Sequence, residues 1–281
     1  MLDVEKLQIG HLHEKECDCK IVRRTTSDRT VEVGFSHRHM FYAVYVIHAG
    51  GGSHVIDFEE YELKPGRFFF VRPAQVHFLC GDADLEYSAL QFSEEFLLQY
   101  IQLNGGLFED IAASSDVDSD AMARLDVLFR QIESETDSGH YDSATIVSAL
   151  VNTLLLELWR ISSHNVSLPF MPDILRRYRN CVDRHFTDLR QVNGYASMLG
   201  VTPGHLNVLT RKYMGKTALS VICERIVLEI KRRLLQTDDD ISEIAYQLGF
   251  NELSYFSRFF RQNTGMTPAA FRTMVREMYQ K

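Results

Sequence analysis

Two groups of residues in this 281-residue sequence could do chemistry. The first is a set of imidazoles and aromatic rings: His37, His39, Phe41, Tyr45 and His77. An H-x-H pair with a third histidine downstream supplies the donors of a divalent metal with open positions. Neutral imidazoles beside a phenyl and a phenol ring suit, instead, a small polar or aromatic molecule held by stacking and a few hydrogen bonds. The position four residues after His39, where a metal site of this spacing would place its acid, is Ala43. A metal would lack its anionic ligand there, so the group reads as an effector pocket with no metal and no cofactor. The second group lies near the C terminus. Ala196, Gly200, Leu206 and Leu209 are followed by Ala245, Gly249, Phe256 and Phe259 in the same order. Each set has a small residue where two helices cross, a glycine for the turn and apolar anchors for the second helix, which is what a helix-turn-helix needs. Helix phase leaves Gly204, His205, Asn207, Val208 and Arg211 facing a DNA groove in the first copy. It leaves Leu253, Ser254, Ser257 and Arg258 as readers in the second, with Arg261 on a phosphate. Asn207 is expected to grip an adenine edge and Arg258 a guanine. Lys212, Lys216, Lys231, Arg232 and Arg233 could add phosphate contacts or form a solvated charged face.

The elements that must position these groups follow from periodicity. Residues 41–47, 53–58, 67–71 and 85–92 read as short strands, punctuated by Gly50-Gly-Gly52, Lys64-Pro-Gly66 and Gly81-Asp82. Strands at that spacing with no helix between them predict a sandwich or barrel. Alternation along the strand after His39 puts His37, His39, Phe41, Ala43 and Tyr45 on one face, the barrel interior. Beyond Ser93 the spacing turns helical, first through Phe96, Leu97, Tyr100 and Ile101, then through Leu125, Leu128, Phe129 and Ile132. Residues 144–161 carry a wide apolar stripe that includes Leu154 and Leu158. Such a stripe must be covered, either by the β-domain of the same chain or by a second copy in a dimer. The last third is helical, with breaks where a glycine ends one helix and Thr202, Thr217, Asp240, Asn251 or Thr267 can cap the next. Residues 218–235 form a long helix between the two copies, with Ile222, Ile226, Leu228, Ile230 and Leu234 available for burial.

Charge divides the chain in the same place. Up to residue 171 there are 13 Lys and Arg against 27 Asp and Glu, a net of −14; from Pro172 onward there are 17 against 11, a net of +6. A basic back half is what a chain shows when only that part meets a polyanion. Five scattered cysteines, with one C-x-C at Cys17 and Cys19, form neither a disulfide framework nor a zinc-finger spacing, which points to a reducing cytosol. The start lacks a basic segment and apolar core, and no run reaches about 18 consecutive apolar residues, so no membrane partner is expected.

From about Phe186 to Arg272 the sequence resembles the AraC/XylS family of regulators, most closely over Ile241-Ser-Glu-Ile-Ala-Tyr-Gln-Leu-Gly-Phe-Asn-Glu-Leu-Ser-Tyr-Phe-Ser-Arg-Phe-Phe-Arg. In the first copy Gly194 and Tyr195 depart from the family pattern, and Ala218 replaces a frequent proline. The family's base-contacting positions match Gly204, Asn207 and Val208. His37-Arg-His39, Gly50-Gly51, Leu63-Lys-Pro-Gly66 and Arg72-Pro-Ala-Gln-Val-His77 look like a cupin barrel of the kind that precedes the DNA-binding part in such regulators. The resemblance implies an α+β chain: a cupin-like effector domain over 1–95, a helical dimerisation or packing segment over 96–165, a linker over 166–172 and a double helix-turn-helix domain over 173–281. Its implied partners are double-stranded DNA, a small-molecule effector such as a sugar, a second copy of the chain and RNA polymerase. The resemblance implies a regulator without enzymatic activity, and the sequence leaves activator or repressor open. The alternatives are a metal-dependent cupin enzyme with a helical appendage, a regulator triggered by thiol oxidation or metal, and an adaptor whose helices bind protein.

Overall fold

The computed structural model describes residues 19–24, 36–93, 96, 110–165 and 171–279. The chain divides into two compact units, Met1–Leu168 and Pro169–Lys281. Cys17 and the helical spacing expected through Leu97, Tyr100 and Ile101 lie outside the described residues.

The first unit holds strands β1 (Cys19–Arg24), β2 (Tyr42–Ala49), β3 (Gly52–Ile56), β4 (Glu59–Leu63), β5 (Arg67–Val71), β6 (His77–Gly81), β7 (Glu86–Phe92) and β8 (Ser114–Asp116). They pair antiparallel into a five-stranded sheet ordered β1-β7-β2-β5-β8 and a three-stranded sheet ordered β4-β3-β6. Alternate residues of β2 feed two cores. Ala43, Tyr45 and Ile47 join Phe69, Val71, Leu79 and Tyr87 in one of them. Val44 and Val46 join Phe68, Phe70 and Leu90 in the other, where helices α1 (Ser119–Ser138) and α2 (Ser143–Asn165) cover the sheet. Both faces of β2 are therefore buried, which is why residues 41–47 are almost continuously apolar.

Three expectations change here. The span read as one strand over 53–58 ends at Ile56, because Asp57 and Phe58 have φ of 48° and 74° and make a two-residue hairpin turn into β4. Asp57 is tied down by Gln75, whose Nε2 donates to its Oδ2 at 2.6 Å. Strand β4, Glu-Glu-Tyr-Glu-Leu, lies at a sheet edge with its glutamates outward, which hides it from a search for apolar alternation. The stripe on α2 is covered within the chain: Val151, Leu154 and Leu158 are fully buried against the five-stranded sheet and α1. A dimer contact through Leu154 and Leu158 is thereby overturned. By length and composition this helix could cross a membrane, yet its apolar face is spent on that core.

The second unit is helical: α3 (Asp173–His185), α4 (Val192–Met198), α5 (Pro203–Met214), α6 (Ala218–Gln236), α7 (Ile241–Gln247), α8 (Leu253–Thr264) and α9 (Pro268–Tyr279). Ile222, Ile226, Ile230 and Leu234 bury one stripe of α6; Val227 is buried with them, while Leu228 is only half-buried. The two helix-turn-helix corners repeat one hydrogen-bond pattern. Val201 N–H donates to Ala196 C=O at 3.0 Å and Gly200 N–H to Ser197 C=O at 3.2 Å, while Phe250 and Gly249 do the same to Ala245 and Tyr246 at 2.9 Å. This pair of bonds ends a helix on a left-handed residue, and Gly200 and Gly249 take φ of 69° and 74°. Ala196 and Ala245 are both buried at the crossing. Thr202 and Thr217 cap α5 and α6 by accepting from His205 and Ser220 N–H, each at 3.1 Å. Asn251, expected as a cap, is exposed; Glu252 occupies the cap position of α8 without a side-chain capping bond to the helix backbone.

Candidate nucleic-acid interface and effector site

Helix α5 presents Gly204, His205, Val208 and Arg211 to solvent and buries Leu206 and Thr210. Asn207 does not join the exposed set. Its Oδ1 accepts the Ala218 N–H at 3.0 Å, closing the first turn of α6. That bond uses one of the two lone pairs of the amide oxygen and fixes its orientation, so Asn207 has a capping role in addition to the base reading expected of it. On α8, Leu253, Ser254, Arg258 and Arg261 are exposed and Ser257 half-buried, while Phe256 and Phe260 are fully buried. Phe259, expected in the core, is half-buried with its ring 5.5 Å from that of Phe250. Arg258 stands at the rim of a groove of about 650 Å³ between the 187–191 loop and the turn before α8. One wall is fixed by Arg190, whose guanidinium lies 3.7 Å from the centre of the Phe250 ring and donates to Leu248 C=O.

Several expected phosphate contacts are engaged within the fold. Lys216 pairs with Glu224, Arg232 is buried 3.7 Å from Glu229, and Arg233 reaches Glu229 at 3.4 Å and bonds Gln247. Lys212 and Arg211, on the last turns of α5, are exposed. Lys231 Nζ lies 5.6 Å from the Phe271 ring centre.

In the first unit, His37, His39, Phe41, Tyr45 and His77 are all buried. A fourth imidazole, His54 of β3, completes the group; its Nε2 lies 3.1 Å from His77 Nδ1. The His37 and His77 rings are 4.1 Å apart, and His39 stacks on Phe41 at 3.8 Å. Tyr45 meets His54 edge-on at 5.5 Å. Sequence reading missed His54, although alternation places it on the face of Ile56. Burial, reinforced by neighbouring imidazoles, lowers His54 to about 3 and His77 well below its ordinary value. Burial also lowers His39, to about 4, against the pull of its backbone hydrogen bond. All three are neutral near pH 7. His39 Nδ1 donates to Phe41 C=O at 2.8 Å, so its Nε2 carries a bare lone pair. That Nε2, His54 Nδ1 and His77 Nε2 are buried without a hydrogen-bond partner. Among the described residues, no group of three or more His, Cys, Asp or Glu is arranged to hold a metal, and Ala43 is fully buried among apolar neighbours. The imidazole cluster offers neutral donors and acceptors.

Residues 21–158 match the AraC-like ligand binding domain, and residues 195–274 match a helix-turn-helix domain. This chain belongs to the AraC family. Its AraC-like ligand domain runs from β1 into α2, so α1 and most of α2 fall within the matched stretch together with most of both sheets. The helix-turn-helix match takes in both corners and α6 between them. Over 96 residues the chain is 30% identical to the regulatory protein PocR of Salmonella typhimurium, covering 34% of this chain and 32% of that protein. Over 102 residues it is 31% identical to AdaA of Bacillus subtilis, a bifunctional transcriptional activator/DNA repair enzyme, covering 36% of this chain and 47% of that protein. The chain thus spans about a third and about half of these two relatives. A longer match, 22% identical over 244 residues, covers 84% of this chain and 86% of the transcriptional activator RhaS of Escherichia coli O81.

Proposed function

We propose that this chain is a sequence-specific, ligand-responsive transcription regulator. Helices α5 and α8 enter the major groove of double-stranded DNA, and a small organic effector binds among His37, His39, His54, His77, Phe41 and Tyr45. The observation that carries the reading is the repeated corner geometry within one unit, with Arg258 and Arg261 exposed on the second reading helix. The net +6 of that part of the chain supports it. Arg258 is assigned a guanine, which offers O6 and N7 to a guanidinium. The three unpartnered imidazole nitrogens support a ligand that brings its own hydrogen-bonding groups. RhaS and AdaA carry the word activator in their names, which favours activation, with RNA polymerase as the further partner. The protein acts in the cytoplasm, as a homodimer formed through a surface other than the buried α2 stripe. Effector binding shifts promoter occupancy only by its differential affinity for two states, and a tenfold change requires about 1.4 kcal/mol.

The test is a mobility-shift titration of the full chain on genomic fragments. Binding should weaken steeply between low and physiological salt, because phosphate contacts release counterions. Arg258→Ala should relax preference at one G·C pair at a cost of about 1–3 kcal/mol. A uniform loss across all sequences would make Arg258 a phosphate contact, and salt-independent binding would refute the DNA reading.

A further inference from the structure

The two reading helices carry different chemistry. On α8 the exposed face holds a guanidinium and a serine hydroxyl, the usual hydrogen-bonding readers of base edges. Near the start of α5 the side chain suited to a paired hydrogen bond, Asn207, has one lone pair of its oxygen taken by Ala218 N–H, and Arg211 stands further along the helix. What remains near the start of that helix is Gly204, His205 and Val208. Val208 is 63% exposed although it is β-branched and apolar. It lies one turn beyond Gly204, where an added Cβ would meet no atom within 4 Å, so the backbone there is open to close approach. Arg211 and Lys212, three and four residues further on, flank it with exposed positive charge.

We propose that the first reading head identifies a thymine through its C5-methyl group, with Val208 as the residue that touches it. This rests on the DNA-binding reading above. A lone exposed valine is ordinary on a protein surface. Val208 differs in its placement, in the early turns of the second helix of a helix-turn-helix, from which base edges are contacted. Cations beside it complement the phosphates on either side of the groove. Thymine alone among the four bases offers a methyl in the major groove, and an aliphatic side chain is its natural complement. The glycine one turn earlier removes the bulk that would hold the helix away. The first head therefore contributes shape and apolar contact, and the second contributes hydrogen-bonded discrimination.

Full-length protein is used to select duplexes from a randomised pool, and each thymine of the selected duplex is then replaced in turn by deoxyuridine, which removes only the methyl. At one position the replacement should weaken wild-type binding about fourfold, equivalent to about 0.8 kcal/mol at 1.4 kcal/mol per tenfold. Val208→Ala should bind the thymine and uracil duplexes within about 1.5-fold of each other at that position, while keeping its preference for guanine elsewhere. Alanine at this exposed position favours the helix, so a folding defect will not imitate the result. If Val208→Ala retains the full thymine preference, or if uracil is tolerated at every position, the methyl assignment falls and DNA binding stands. Absence of DNA binding by the wild-type chain overturns both.

Discussion

Acidification offers a quantitative check on the imidazole cluster. His39, His54 and His77 are held neutral by burial, with His39 near 4, His54 near 3 and His77 well below its ordinary value. In the unfolded chain each returns to about 6.5 and takes up a proton as pH falls from 7 to 5, while the folded form does not. The unfolded state then binds more protons, so stability rises with pH and is lost as pH falls below about 6.5. Integrated from pH 7 to 5, one such imidazole costs about 2 kcal/mol, and the three together roughly 4–6 kcal/mol. For a unit of this size the unfolding midpoint should drop by roughly 10–20 °C. The comparison is made against a variant, so that other titrating groups cancel. His54→Leu should remove about a third of the pH dependence, whatever it does to stability at pH 7. Scanning calorimetry between pH 7 and 5 measures both proteins. A midpoint that stays level, or a His54→Leu protein with an unchanged slope, would show that the imidazoles are solvated or charged and would refute the burial argument.

Other perturbations separate further readings. Asn207→Ala should destabilise the second unit by about 1 kcal/mol in chemical denaturation through loss of the bond to Ala218, and unchanged stability would refute the cap; a relaxed preference at one adenine would show the base reading beside it. Leu154→Asp should unfold the first unit at a cost of 3 kcal/mol or more, seen as lost near-ultraviolet dichroism; a folded monomer in sedimentation would return the stripe to a dimer contact. Gly200→Ala should cost about 1–2 kcal/mol for its left-handed backbone alone. Gly249→Ala should cost clearly more in chemical denaturation, because its Cβ would also stand 2.8 Å from Thr187 C=O, and equal losses would refute that contact.

The C-terminal unit was legible in the sequence because its punctuation is local. A threonine cap, a turn glycine and a small crossing residue act over a few positions, and Thr202, Gly200 and Ala196 do what their types predict. What stayed hidden depends on contacts across the chain. Asn207 has the composition of a reader, and only the approach of Ala218 reveals it as a cap. Leu154 and Leu158 form the same stripe whether a sheet or a second copy covers them, since periodicity records that a face is apolar and not what meets it. In the front unit the alternation 37, 39, 41, 43, 45 was readable, whereas His54 joins the cluster through pairing of β3 with β6. Strand pairing of that kind has no signature within a single strand.

Both polar groups of the peptides that flank the start of α6 meet at Ala218: its N–H is taken by Asn207 and its C=O by the Tyr178 hydroxyl at 2.6 Å. A proline at this first helical position fits the backbone well but has no N–H to give. Substituting it would therefore free the Asn207 amide, eleven residues earlier, without touching it. Positions 207 and 218 are therefore coupled across eleven residues: the residue type at one decides whether the side chain at the other has a bond to make within the fold.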